Sequence, residues 1–227
     1  MIAVRDIPRA CMRYARGSVP PNNPHGETVL ALRASNGRVA PVTQIRSTLL
    51  AGSVHTLRVK GYLDAYLAAL PKPLHAEVLG AVAGSWMPIE IGMSHYAACE
   101  AIGLTPLEQF NNGREVSARV QNTMLGVLAR TAKTLGTLTP WSGLEQFQRL
   151  WDRVMVGGSG AVYRIGPKEA RVEAHGIPLV KWGYFRNSWR GMFACAGELF
   201  CEKLYVTDIS PPGATSQGDF ALRVAWV

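Results

Sequence analysis

From Gly160 to the C-terminus the sequence changes its period, and that change limits the possible folds more than any other feature of the chain. The stretches AVYRIG and EARVEAHG alternate apolar and polar residues on either side of Gly166-Pro167-Lys168, as two strands of a hairpin do. Phe185, Trp189, Met192, Phe193, Ala196 and Phe200 then recur at helical spacing. KLYVTDIS and FALRVAWV return to strand alternation on either side of a loop at 211–219. The order is strand, strand, helix, strand, strand. An antiparallel sheet crossed by a single helix leaves apolar surface that other elements must cover. The expected fold class is therefore α+β, with a helical middle packed on a C-terminal antiparallel ββαββ sheet unit.

The middle of the chain has the periodicity to supply that cover. Val54, Leu57, Tyr62, Leu63, Tyr66, Leu67 and Leu70 fall near one helical face, which Pro71 and Pro73 bring to a stop. A short helix is predicted over 74–83, a second over 88–102 ended by Gly103, and a long one over 106–135 with a break near Asn111-Asn112-Gly113. Thr139-Pro140-Trp141-Ser142 opens a further helix carrying Leu144, Phe147, Leu150, Trp151 and Val154, closed by Gly157-Gly158. Ahead of all these, ETVLALRA and RVAPVTQIR flank Ser35-Asn36-Gly37 and predict an N-terminal hairpin, with Pro41 placing its second strand on an edge.

With 227 residues, 48% of them hydrophobic, the chain can bury a full core. The expected division is a basic arm and Pro-rich linker over 1–26 and a single α+β domain over 27–227. Residues 1–60 carry nine Lys and Arg against two acids, whereas 61–227 carry fifteen against fourteen, so the net charge of +8 belongs almost wholly to the first segment. An arginine-bearing arm suits an acidic partner or nucleic acid, but the near-neutral body makes a nucleic-acid binder the lesser expectation. No stretch reaches the roughly 18 apolar residues of a membrane-spanning helix, and the first residues lack a secretory h-region. The four cysteines show no CxxC spacing. A soluble cytoplasmic protein with reduced thiols and no transmembrane segment is expected.

Several runs, Thr139-Pro140-Trp141, Arg149-Leu150-Trp151-Asp152-Arg153, the hairpin 166–171 and Tyr184-Phe185-Arg186 leading to Arg190-Gly191, lie within this order of elements. Together they resemble the fold shared by the 4-vinyl reductase family, haem-nitric-oxide-associated bacterial sensors and transport protein particle subunits. The resemblance covers about residues 53–227. It implies a fold that binds a small apolar molecule between helices and sheet, or that acts as a dimerising module in signalling or trafficking. The haem-binding relatives carry Tyr-x-Ser-x-Arg and an axial histidine. Here Tyr184 and Ser188 stand too far apart for that motif, so no cofactor is expected.

Catalytic signatures are missing from the sequence: no Gly-x-Ser-x-Gly, HExxH, phosphate-cradling loop or dinucleotide fingerprint occurs. His95 and Cys99 share a helical face, yet two groups alone make no metal site, and a hydrogen-bonded structural histidine is the plainer reading. Arg149 with Arg153, and Arg186 with Arg190, are spaced to clamp an acidic group or to form ion pairs within the fold. Aromatic residues at element ends either fill core or line a pocket. The candidate ligand-binding residues are Trp86, His95, Tyr96, Trp141, Arg149, Arg153, Tyr184 and Arg186. The expected function is a non-catalytic domain for a small apolar ligand or a protein partner, including a second copy of the chain. Two alternatives stay open: an enzyme using His95, Cys99, Glu100 or Arg186, and nucleic-acid or acidic-partner binding through the arm.

Overall fold

The computed structural model describes residues 26–82, 84–121 and 139–227. Helices α1 (Ser47–Val59), α2 (Leu63–Ala69), α3 (His75–Leu79), α4 (Ile89–Ala101), α5 (Pro106–Gln121), α6 (Pro140–Glu145) and α7 (Phe147–Trp151) precede the C-terminal unit. That unit consists of β5 (Ser159–Gly166), β6 (Glu169–His175), α8 (Gly183–Gly197), β7 (Leu204–Asp208) and β8 (Phe220–Trp226). The ββαββ order is as the alternation predicts. All its pairings are antiparallel, and β1 (Glu27–Leu30) adds an edge strand, giving the order β1-β5-β6-β8-β7. Along β6 half-buried and buried residues alternate strictly, so Ala170, Val172 and Ala174 face the core while Glu169, Arg171, Glu173 and His175 face out.

A second sheet, absent from the sequence reading, has the order β3-β2-β4, from Trp86–Pro88, Gln44–Arg46 and Met155–Val156. Its strands are two or three residues long and lie apart in the chain, so no alternation could mark them. It changes two expectations. The turn at Asn36-Gly37 forms, with positive φ at both residues and a single bridge from Ser35 to Arg38, but the flanking strands part and join different sheets. The second of them, β2, starts only beyond Pro41 and is central instead of at an edge.

The helices also divide differently. The stripe expected from Val54 to Leu70 is two helices, α1 and α2, parted at Gly61, whose φ of +79° a side chain would resist. The helix expected through Val154 ends at Trp151, because Met155 is drawn into the second sheet opposite Ile45. No break occurs at Asn111-Asn112-Gly113, where α5 runs on unbroken. The remainder of the long helix expected to 135, like the basic arm, lies outside the described residues. Both sheets and the helices share one contiguous cluster of buried residues that runs from Val42 to Trp226.

Helix α8 lies against the inner face of the large sheet and packs most closely on α5. A β-carbon placed on Gly113 would strike the carbonyl oxygen of Ser188, and one on Gly191 would strike that of Phe110. The two helices thus touch backbone to backbone, each through its own glycine. The free N–H at the start of α8 is met by α4: Tyr184 N donates to Glu100 Oε2 at 2.5 Å, placing a carboxylate on the positive end of the helix.

Candidate functional site

The amphipathic α8 presents two different interiors. On the side facing α4 and α5, Tyr184 and Phe185 enter a sealed polar cluster. Asn112 Nδ2 donates to Tyr184 Oη at 3.2 Å, and Lys60 Nζ donates to Asn112 Oδ1 at 2.8 Å while pairing with Glu115 at 2.7 Å. Deeper in, Tyr66 Oη lies 2.8 Å from His95 Nδ1, and Cys99 Sγ lies 3.5 Å from His95 Nε2. Tyr96 closes the cluster edge-on to His95 and to Phe185. His95 and Cys99 are both fully buried, at 0% exposure.

Burial sets the charge of this cluster. His95 is held neutral, its pKa lowered to about 3 by burial. The same burial pushes the Cys99 thiol and the hydroxyls of Tyr66, Tyr96 and Tyr184 upward. A catalytic cysteine needs an accessible thiolate, and this arrangement favours a neutral thiol beside a neutral imidazole. The cluster is a hydrogen-bonded core, as the plainer reading of His95 expects.

On its other side α8 borders a half-open cavity of about 470 Å³, lined by residues of α1, α5, α6, α7, the C-terminal half of α8 and the sheet. Its walls are apolar and aromatic: Leu144, Phe147, Trp151, Trp189, Met192 and Phe193 are representative. Rings meet along this wall, with Trp151 edge-on to Trp189 at 5.6 Å and Phe147 5.7 Å from Phe193. Trp151 is fixed from behind, since its Nε1 donates to Gly157 O at 2.8 Å. Among the described residues polar lining is sparse: Thr48, Ser117 and Arg153. The volume falls in the usual range of about 300–1,000 Å³ for small-molecule sites.

The eight candidate residues are dispersed by the fold. His95, Tyr96 and Tyr184 come together in the sealed cluster, and Arg153 lines the cavity. Trp86 is half-buried with the Arg46 guanidinium 3.7 Å above its ring. Trp141 packs edge-on to Trp226 at 4.8 Å, lies under Arg164 and donates to Pro167 O. Arg149 is exposed and bonded to Gln146 Oε1, and Arg186 donates to Val180 O and sits 3.7 Å from Asp208. The arginine pair 149/153 does not share a helix, because α7 ends at Trp151. Among the described residues no three His, Cys, Asp or Glu side chains gather as a metal site would need.

The cavity-lining residues of α7 and α8 had been visible only as apolar stripes. An apolar stripe reads the same whether it meets another side chain or a gap, so periodicity could not reveal the site.

No family model matches the sequence, and comparison with curated proteins finds no match. Solved structures do resemble it. One, from work on haem redox potential modulated by protein-induced porphyrin distortion, superposes with a TM-score of 0.53 at 11% identity over 80% of this chain and 100% of its own. A second, probing haem distortion in the H-NOX family, gives 0.56 at 12% over 80% and 95%. A third, on the mechanism of H-NOX activation, gives 0.52 at 10% over 80% and 96%. The likeness is one of fold. It agrees with the part of the sequence resemblance that points to haem-nitric-oxide-associated sensors. Among the described residues, no helix is long and apolar enough to cross a membrane.

Proposed function

We propose that the chain is a non-catalytic sensor-type domain that binds one small apolar molecule in the cavity beside α8. The observation carrying this reading is the cavity itself: about 470 Å³ at the helix–sheet boundary of a tightly packed fold, with walls almost wholly apolar. Aromatic walls of this kind bind by removing apolar surface from water, at about 25 cal/mol per Å². The sealed neutrality of His95 and Cys99 gives the reading its non-catalytic character.

Haem, to which the structural neighbours point, does not fit the residues present. Haem iron is held by histidine, thiolate, tyrosinate or a methionine paired with histidine. Among the described residues lining the cavity only Met192 offers a donor of these kinds, and His95 is walled off with both ring nitrogens engaged. The groups nearest to the haem-family motif serve the fold instead. Tyr184 Oη accepts from Asn112, Ser188 Oγ donates to Phe185 O, and Arg190 donates to Val206 O.

The neutral apolar fluorophore N-phenyl-1-naphthylamine tests the reading on the purified chain, because Trp151 and Trp189 in the wall can transfer excitation to it. Saturable one-to-one binding is expected. Ala196→Trp, which places a large ring in the cavity wall, should weaken it at least tenfold while the far-UV spectrum stays native. Unsaturable binding, or equal binding by the variant, would count against the cavity as the site.

A further inference from the structure

The cavity's polarity is concentrated at one point. Arg153 is the only charged side chain among the described residues that line it. Arg33, Arg114, Arg171, Arg186 and Arg223 each stand against a carboxylate. The guanidinium of Arg153 pairs with none of the described residues, although its backbone is held at both ends: its N–H donates to Leu150 O at 3.2 Å, and its carbonyl accepts from Arg46 Nε at 3.1 Å. Arg153 is thus held by its main chain, exposed to water and among the residues that border an apolar chamber.

The geometry points to a ligand with an apolar body and one terminal carboxylate, its body in the chamber and its head on Arg153; the inference rests on the cavity reading above. A carboxylate cannot enter an apolar interior unpaired, because losing its hydration costs more than the chamber returns. At the mouth it keeps part of its hydration and gains charge-assisted, two-pronged bonds from the guanidinium. A neutral molecule of the same shape forgoes those bonds. A cationic one meets repulsion, so the single charge orients and selects the ligand.

The test is displacement of N-phenyl-1-naphthylamine from the full chain by dodecanoate, dodecan-1-ol and dodecyltrimethylammonium, all below their aggregation concentrations. Dodecanoate should displace the probe at about five- to tenfold lower concentration than the alcohol, and the cation should be the weakest. Arg153→Gln should bring acid and alcohol within about twofold of each other. Arg149→Gln, which removes a nearby guanidinium already bonded to Gln146, should leave the preference in place. If the fluorophore binds but acid and alcohol tie on the native chain, or Arg149→Gln abolishes the preference as fully as Arg153→Gln, the carboxylate assignment falls and the cavity reading stands. If the fluorophore does not bind, both fall.

Discussion

One helix separates a solid interior from a hollow one. Toward α4 and α5, α8 meets α5 through glycines at 113 and 191, and the space left is filled by tyrosines, among which Tyr66 bonds to His95 and Tyr184 accepts from Asn112. Toward α6, α7 and the sheet, the same helix presents Trp189, Met192 and Phe193 to a chamber they do not fill. Both sides are rich in rings, so aromatic content does not decide which becomes a pocket. The distance between backbones does: glycine brings two helices into contact, while bulky side chains set around a corner where two short helices turn leave a gap.

If the glycine contact makes the solid side, enlarging it should cause the largest loss in the molecule. Gly113→Val sets a branched side chain against the Ser188 backbone, which cannot yield without moving α8. A loss of about 3 kcal/mol or more is expected from urea unfolding, and a loss under about 1 kcal/mol would mean that the helices are not in backbone contact.

The next effect is read by pH. His95 is neutral when folded, with a pKa of about 3, while in the unfolded chain it takes a proton near 6.5. The unfolded state therefore binds more protons below that value, and stability is lost as pH falls, by about 2 kcal/mol at pH 5. His175 on the outer face of β6 behaves oppositely. Partial burial works against its charge, but bonds to Asp219 and Glu173 outweigh this and raise its pKa to about 9. Its contribution is fully present below about pH 6.5 and is lost as pH rises through 9. Denaturant midpoints of His95→Gln and His175→Gln between pH 5 and 9 should flatten opposite ends of the profile. If both flatten the same end, the assigned environments are wrong.

The smallest stability effect belongs to the hollow side. Ala196→Trp should change unfolding free energy by less than about 1 kcal/mol, where the same enlargement in a filled core costs about 1–3. A loss as large as that of Gly113→Val would show that the chamber is no looser than the rest of the interior.

The sequence displayed the C-terminal unit well because β6 and β7 alternate along their whole length, β5 and β8 are rich in apolar and β-branched residues, and the turn residues are local. Gly103 ends its helix where expected, and Thr139 caps α6 through Ser142 as its Thr-Pro-Trp-Ser run suggests. The second sheet was illegible, since three short strands from residues 44, 86 and 155 acquire meaning only on pairing. Asn111-Asn112-Gly113 looked like a break and is continuous helix. Asn112 is consumed by Tyr184 and Lys60, and Gly113 is there for proximity, so tertiary demands override the local propensity of both. Of the eight candidate ligand-binding residues, His95, Tyr96 and Tyr184 come together in the buried cluster away from the chamber. Arg153 alone borders the chamber.

The chain by itself determined its periods, stops and turns, and with them a sheet unit roofed by helices, because these depend on residues a few positions apart. Only the tertiary structure decided which apolar stripe meets a filled neighbour and which meets a void, since that depends on how closely distant backbones approach. The same decision sets Arg153, whose guanidinium pairs with none of the described residues, at the chamber's edge, a property of the assembled surface that no spacing in the sequence encodes.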